Sequence, residues 1–462
     1  MHLVVIGGND AGISTALRAR ELDPSVDVTV VVADSYPNFS ICGIPYYFSR
    51  EVDPWQSLAH RTHADLEATG MRLRLDTLAT GIDVASRQLA VRDAGGVEST
   101  IAYDELMVGT GAAPSTAGIV GVGPGGLGPD DGVHVLHSMG DTFALERYLD
   151  EHQPETAIIV GAGYVGLEMA EALTVRGLHV TQLQRGPEVL STLDPELGTL
   201  VHDELTRNGV DVVTGARVEG VARAAGGRLT VTGRENGEGY ARTADVVLLV
   251  IGVRPNTSLL TDAGASVAAG GAAVVDERMR TGLPHVWAAG DGVVTHHRLL
   301  GVTYLPLGTT SHKQGRVAGE NAIGGSARFA GSLGTQVVKV FDLVAARTGL
   351  RDHEAVAAGH TPLSGTAIAD DHKAYYPGAK PLSIRITGDT DSGLLLGAQL
   401  VGARGAEIAK RVDTYATALH HGMTVEAMSD LDLSYTPPLG SPWDAVQVAT
   451  QAWSRQSGHT TV

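Results

Sequence analysis

Cysteine is nearly absent: among 462 residues there is one, Cys42. A lone thiol excludes an internal disulfide and a cysteine-built structural zinc site, so Cys42 acts without a resolving cysteine from its own chain. Basic residues are scarce, 34 Lys and Arg against 52 Asp and Glu, giving a formal charge of −18. Binding phosphate needs a positive surface, so neither a nucleic acid nor an anionic membrane is expected as a partner. Long apolar runs are missing too. Val246 to Val253 is among the longest, well short of the roughly 20 residues that span a bilayer. Met1-His2 leads directly into a buried-strand pattern, Leu3 to Ile6, leaving no room for the regions of a signal peptide, and a cytoplasmic location is expected. The pairs His296-His297 and His420-His421 invite a metal reading. Adjacent side chains on a strand or helix point apart, however, and no carboxylate cluster accompanies them, so surface positions and no metal site are expected.

What the chain has in abundance is glycine, 59 residues, and a length that suggests two or three domains. One arrangement occurs twice: an apolar strand, a glycine-rich turn, then an alanine-rich helix. The first copy runs from His2 to Ile6 through Gly7-Gly8-Asn9-Asp10-Ala11-Gly12 into a helix over about Ile13 to Leu22. The second runs from Ala157 to Val160 through Gly161-Ala162-Gly163-Tyr164-Val165-Gly166 into a helix from Leu167 to about Arg176. Further strands, Val26 to Val32 and His179 to Leu183, complete two βαβ units. Such turns let backbone N–H groups at a helix start approach a pyrophosphate, so two dinucleotide sites are expected. The second copy matches G-x-G-x-x-G in full; the first carries Asn9 at the middle glycine and is the weaker signal alone. Gly118 to Gly132 reads as a linker or surface loop. From about Leu333 a third domain begins, with a helix over roughly Ala406 to His420, and the polar tail after Trp453 is expected to be disordered.

The segments SICGIPYY around Cys42, YDELMVGTGAAP, GAGYVGLEMAEAL, VWAAGDGV, LPLGTTSHKQGRVAGENA, VKVFDLVAARTGL, HKAYYPG and LDLSYTPP follow one family's order. In them the chain resembles the pyridine nucleotide-disulfide oxidoreductases, and within these the single-cysteine branch of CoA-disulfide reductases, NADH oxidases and persulfide reductases. The resemblance implies an α/β chain with two Rossmann-like domains and a C-terminal α+β dimerisation domain. FAD would be bound by residues 1–115 and 251–328, and NADPH and/or NADH by 116–250. Residues 329–453 would form the dimerisation domain, completing the active site of the other subunit in a homodimer, and 454–462 a disordered tail.

The same resemblance implies the site. Cofactor contacts fall on Gly7, Gly8, Asp10, Ala11 and Gly12, then on Asp34, Ser40, Thr110, Gly111, Gly252, Gly290 and Asp291, and on Leu307, Gly308 and Thr309 ahead of a helix. In the second unit they fall on Gly161, Gly163, Tyr164, Val165, Gly166, Glu168, Gln184 and Arg185. Cys42, at the apparent start of a helix with Pro45 in the first turn, would act as a thiolate; a buried inert cysteine is the alternative. Tyr164 would resemble the gate over the flavin, or simply fill a crevice, and Glu168 would lie near the nicotinamide. Asp291 would face the ribityl phosphate, or close an ordinary Gly-Asp turn. Tyr376 and Tyr435 match tyrosines that reach the partner's cysteine, with buried interface residues as the alternative.

Several positions depart from the pattern. The acid that ends the second strand of the FAD unit is Val32 here, so either Asp34 substitutes from the loop or the ribose goes unheld. In the nicotinamide unit it is Gln184, followed by Arg185, which admits NADPH. At Asp10 the oxidase and peroxidase members carry a histidine. A carboxylate there cannot donate a proton at neutral pH unless strongly perturbed, which argues against peroxide chemistry; helix capping is the alternative role. Glu21 and Trp443 stand where CoA-disulfide reductases place cations, leaving Arg18, Arg20 and Lys373 to contribute. The expected activity is NAD(P)H-dependent reduction of a small disulfide or persulfide through Cys42. An oxidase cycling through a cysteine sulfenic acid, and a flavin redox sensor or electron donor to a protein partner, are the competing readings.

Overall fold

The computed structural model describes residues 1–458. The chain divides into two compact units: Met1–Ser115, Leu136–Phe143 and Gly252–Ser332 form one, and Thr116–Val135, Ala144–Ile251 and the residues from Leu333 onward the other.

In the first unit the β-branched runs HLVVI and DVTVV form strands His2–Ile6 and Asp27–Val31. They pair in parallel, Leu3 opposite Val28 and Ile6 opposite Val31. The sheet runs Val286–Ala288, Glu105–Val108, His2–Ile6, Asp27–Val31, Met71–Arg74. Leu3, Val4, Val5, Val28, Val30 and Leu106 are completely buried, as a parallel sheet covered on both faces requires. Each such side chain contributes about 1.5–3 kcal/mol. The helix Asp10–Leu22 links the first two strands and packs against the helix Gly308–Ala322. Their crossing is close because Gly315 and Gly319 face it: a Cβ would lie 2.3 Å from the Ala11 carbonyl oxygen at the former and 2.4 Å from that of Thr15 at the latter. Within this unit Phe143 brings its ring to 5.3 Å from Tyr36 and 5.0 Å from Trp55.

The second unit repeats the parallel sheet, in the order Asp211–Val213, His179–Leu183, Thr156–Val160, Val246–Leu249, Val133–Val135, with the helix Tyr164–Val175 after its central strand. It continues into an antiparallel sheet, Gln336–Val340, Leu343–Gly349, Leu395–Ala403, Pro381–Asp389, Pro362–Asp370. The buried Glu171 joins the two, accepting from the Phe341 N–H at 2.7 Å and pairing with Lys339.

The structure corrects several expectations. Both Rossmann helices begin a turn earlier than the apolar pattern, at Asp10 and Tyr164, because the first turn carries the residues of the glycine turn rather than core residues. The tail is not structureless from residue 454: the helix Ala445–Ser457 runs past it, capped by Asp444 and Gln447. That helix is held by Trp453, 1% exposed, whose indole N–H donates to the Leu363 carbonyl at 2.7 Å. The remainder of the expected disordered tail, 459–462, lies outside the described residues. His297, expected at the surface, is buried and accepts from the N–H groups of Leu299 and Leu300. Among the described residues no helix is long and apolar enough to cross a membrane.

Candidate active site

Cys42 sits in a tight turn, Ile41–Gly43, that leads into the short helix Ile44–Phe48 with Pro45 in its first turn. Proline is tolerated there because that N–H has no helical acceptor. The thiol-bearing residue is exposed, which removes the reading of an inert core cysteine. Its segment is anchored from behind. Ser40 N–H donates to the Leu58 carbonyl at 2.8 Å, His60 N–H to that of Asn38 at 2.9 Å, and Asn38 N–H to that of Gly8 at 2.6 Å. Ile44 and Phe48 are buried beneath.

Gly8 belongs to the first glycine turn. Gly7 has φ of +109°, and a Cβ there would lie 2.1 Å from the Gly109 carbonyl oxygen; at Gly12 it would lie 1.9 Å from that of Gly7. Asn9, the departure from the glycine pattern, is the helix cap. Its Oδ1 accepts from Gly12 N–H at 3.2 Å and its Nδ2 donates to the Gly109 carbonyl at 2.6 Å. Asp10 is therefore the first helical residue, not the cap. Beside it starts the helix Gly308–Ala322, whose cap position, Leu307, makes no side-chain bond; Thr309 and Thr310 lie inside the helix. A Cβ on Gly308 would stand 3.1 Å from Asp10 Oδ2, so two helix N-termini lie side by side, both with N–H groups to offer an anion. These residues fit the diphosphate and pyrimidine ends of FAD.

Around them, Asp291 Oδ1 accepts from the Ser311 hydroxyl at 2.8 Å, and burial pushes its carboxyl up. Gly290 N–H donates to Gln314 Oε1 at 2.9 Å. Thr110 donates to the Asn256 carbonyl, and Gly111 and Gly252 hold φ of +64° and +104°. Asp34 is exposed and accepts from Tyr36 N–H at 2.8 Å in a local turn, while Val32 packs where a Cβ on Gly8 would meet it.

Asp10 has neighbours that the sequence does not announce. His312 Nε2 lies 3.3 Å from Asp10 Oδ1, and His60 converges on the same place. Burial pushes the Asp10 carboxyl up, against the pull of His312 and His60. Of the cations expected to replace the CoA clamp, Arg18 is engaged by Glu320 and Glu21, and Arg20 is spent on the carbonyls of Thr69, Pro24 and Val26.

In the second unit Gly161 has φ of +104°, and a Cβ on Gly166 would lie 2.0 Å from its carbonyl oxygen, the same closure as in the first turn. Gly163 is the cap of the Tyr164–Val175 helix, without a side-chain bond, and a Cβ there meets nothing within 4 Å. This open cradle, with Val165 exposed beside it, fits a pyrophosphate. Gln184 is turned inward: Oε1 accepts from Ala162 N–H at 3.3 Å and Nε2 donates to the Glu188 carbonyl at 3.2 Å. Arg185 next to it is exposed. Tyr164 is the first residue of its helix, its hydroxyl 3.2 Å from Thr192 Oγ1, and burial raises its pKa. Glu168 lies one turn further along.

Tyr376 and Tyr435 are 42% and 44% exposed, not buried within the chain. The hydrogen-bonded partner of Tyr435 is Tyr375, whose pKa that bond raises, whereas the Tyr376 ring packs edge-on to His372 at 5.7 Å. Tyr375 escaped sequence reasoning because adjacent tyrosines are indistinguishable until the loop's path is known.

Residues 1–315 match the pyridine nucleotide-disulphide oxidoreductase family, and residues 335–445 match its dimerisation domain. The chain is 32% identical over 448 residues to the NAD(P)H coenzyme A polysulfide/persulfide reductase of Pyrococcus horikoshii, covering 96% of this chain and 97% of that one. It is 30% identical over 461 residues to an NADH oxidase of Methanocaldococcus jannaschii, covering 98% of each. Among solved structures, an NAD-dependent persulfide reductase from A. fulgidus matches with a TM-score of 0.92 and 34% identity, over 99% of this chain and 84% of that one. Matched across both its glycine turns and its C-terminal sheet, the chain belongs to the pyridine nucleotide-disulphide oxidoreductases and is an oxidoreductase that uses FAD and NAD(P)H.

Proposed function

We propose that the chain is a cytoplasmic homodimeric enzyme that reduces a small disulfide or persulfide with NAD(P)H through Cys42, and that it accepts NADPH. The observation that carries this reading is the exposure of Cys42 on an anchored turn in a chain with no second cysteine. Such a thiolate attacks one sulfur of the substrate, forms a mixed disulfide or persulfide on Cys42 and releases a thiol; two electrons then regenerate the thiolate and release the second thiol or sulfide. FAD, when bound, carries electrons from the nicotinamide to that sulfur. Gly7, Gly8, Ala11 and Gly12 with Leu307, Gly308 and Thr309 would hold it at the paired helix N-termini, with Asp291, Gly290, Ser40, Thr110, Gly111 and Gly252 around it. The nicotinamide dinucleotide would take the cradle of Gly161, Gly163, Val165 and Gly166, with Tyr164 and Glu168 at the reacting end. Gln184 offers no carboxylate to repel a 2′-phosphate, and the exposed Arg185 supplies a counter-charge. Tyr435, with Tyr376 or its neighbour Tyr375, would serve the sulfur site of the other subunit from the exposed face of the dimerisation domain.

The names of the persulfide reductases among its relatives agree with this substrate class. Purified Cys42→Ser protein should keep its flavin and its reduction by NADPH while losing turnover of disulfides and persulfides; full turnover in that variant refutes the proposal. The NADH oxidase relative supports one other reading, reduction of oxygen, and stoichiometric oxygen consumption without added sulfur substrate would favour it.

A further inference from the structure

Asp10, His60 and His312 come from three distant parts of the chain, yet each offers a ligand atom within 4.8 Å of the other two. Three ligand atoms so placed, with His60 exposed and the other two half-buried, can converge on one cation. His312 turns Nε2 toward Asp10 Oδ1 at 3.3 Å, which is about the edge of a tetrahedron built with the ~2.0–2.1 Å bonds of zinc to nitrogen and oxygen. Its other nitrogen, Nδ1, is taken by the Ser14 hydroxyl at 2.8 Å, the outer hydrogen bond that fixes the tautomer of a ligating imidazole. The His60 ring stands edge-on to that of His312, 70° between planes and 6.2 Å between centres, so the two rings do not stack, and a nitrogen of each lies within 4.8 Å of the other and of a carboxylate oxygen of Asp10.

We propose that Asp10, His60 and His312 form a binding site for a divalent transition-metal cation of the zinc class, with an open fourth position. Two imidazoles and a carboxylate select such a cation over calcium or magnesium, which take all-oxygen cages. The site would couple the cation to the thiol segment: His60 N–H bonds the Asn38 carbonyl and Ser40 N–H bonds that of Leu58, so the cation would pin the loop leading to Cys42 onto the N-terminal end of the Asp10–Leu22 helix and the first turns of Gly308–Ala322. This inference is independent of which sulfur substrate is turned over.

The test is calorimetric titration of the flavin-loaded, chelator-treated enzyme with Zn²⁺, in parallel for wild type, His60→Gln, His312→Asn, Ser14→Ala and Cys42→Ser. Flavin absorbance and a thermal melt check that each is folded. One Zn²⁺ per chain is expected in wild type and in Cys42→Ser, with affinity lower by roughly tenfold or more in each histidine variant and by about tenfold in Ser14→Ala. Absence of saturable binding, binding that survives both histidine substitutions, or binding lost in Cys42→Ser, which would place the cation on the thiolate, each overturns the proposal.

Discussion

Gly163 allows nucleotide binding to be perturbed without perturbing the fold. Its φ of −83° and ψ of −170° suit any residue, and a Cβ there meets no atom within 4 Å. Alanine is poorer than glycine at a cap by about 0.5–1 kcal/mol, but restricts the unfolded chain by about 0.4–1 kcal/mol. The two offset, so Gly163→Ala should leave stability within about 0.5 kcal/mol of wild type. Gly166 is the contrast. A Cβ there lies 2.0 Å from the Gly161 carbonyl oxygen, an overlap that only movement of the turn relieves, at a cost of about 3 kcal/mol or more. If the cradle receives a pyrophosphate, the methyl at residue 163 stands where the backbone must approach it and removes charge-assisted hydrogen bonds of about 1.5–3 kcal/mol. That corresponds to a fall of about 10- to 150-fold in kcat/KM for NADPH. Urea melts and initial rates across NADPH concentrations measure both quantities. A stable Gly163→Ala enzyme with kcat/KM unchanged within about twofold would show that no dinucleotide lies against this turn.

Arg185→Ala should lower kcat/KM for NADPH by about tenfold or more and change that for NADH little; equal losses for the two coenzymes, measured side by side, count against a phosphate contact. Burial alone pushes the Glu354 carboxyl up, but the hydrogen bond and charge of Arg347, with the N–H and charge of Arg351, hold it down from 4.5 to about 2. Its folded pKa lies below its unfolded one, so its stabilisation, about 3 kcal/mol, is complete above the ordinary glutamate range and is lost as pH falls toward 2. Glu354→Gln should therefore destabilise at neutral pH and converge with wild type in acid, and a difference between denaturation curves that stays constant with pH refutes this. Tyr435→Phe removes the bond that raises the Tyr375 pKa, so the near-ultraviolet tyrosinate signal of Tyr375 should appear at lower pH; an unshifted titration places the Tyr435 hydroxyl elsewhere.

Local pattern and local chemistry made the architecture legible. The strand His2–Ile6 lies where the apolar run Leu3 to Ile6 stands in the sequence, because a doubly covered parallel strand is nearly continuously apolar. Gly7, Gly12, Gly161 and Gly166 were legible because backbone closure admits nothing larger at those positions. Side chains whose role depends on a distant partner were not. Asp10 and His312 are 302 positions apart, and no periodicity relates them. Arg20 reads as a spare cation until three backbone carbonyls are seen to claim it. The residues after Trp453 read as a polar tail because the helix Ala445–Ser457 docks through Ala445, Val446, Ala449 and Trp453, all before that point, and its last turn needs no large apolar side chain.

The two glycine turns share their closure but differ at the cap, and the difference has a physical consequence. Asn9 folds back onto the protein, fastening Gly12 N–H and the Gly109 carbonyl at once, so the first turn is ordered by its own side chain before any ligand arrives. Gly163 fastens nothing and leaves its cradle open. A preordered turn loses less conformational entropy on binding and so holds a ligand longer for the same contacts. An unfastened one loses more on binding and releases more readily. The substitution that weakens the first fingerprint as a sequence pattern thus suits a cofactor retained through many turnovers, while the full glycine pattern suits a coenzyme that must arrive and depart in each one.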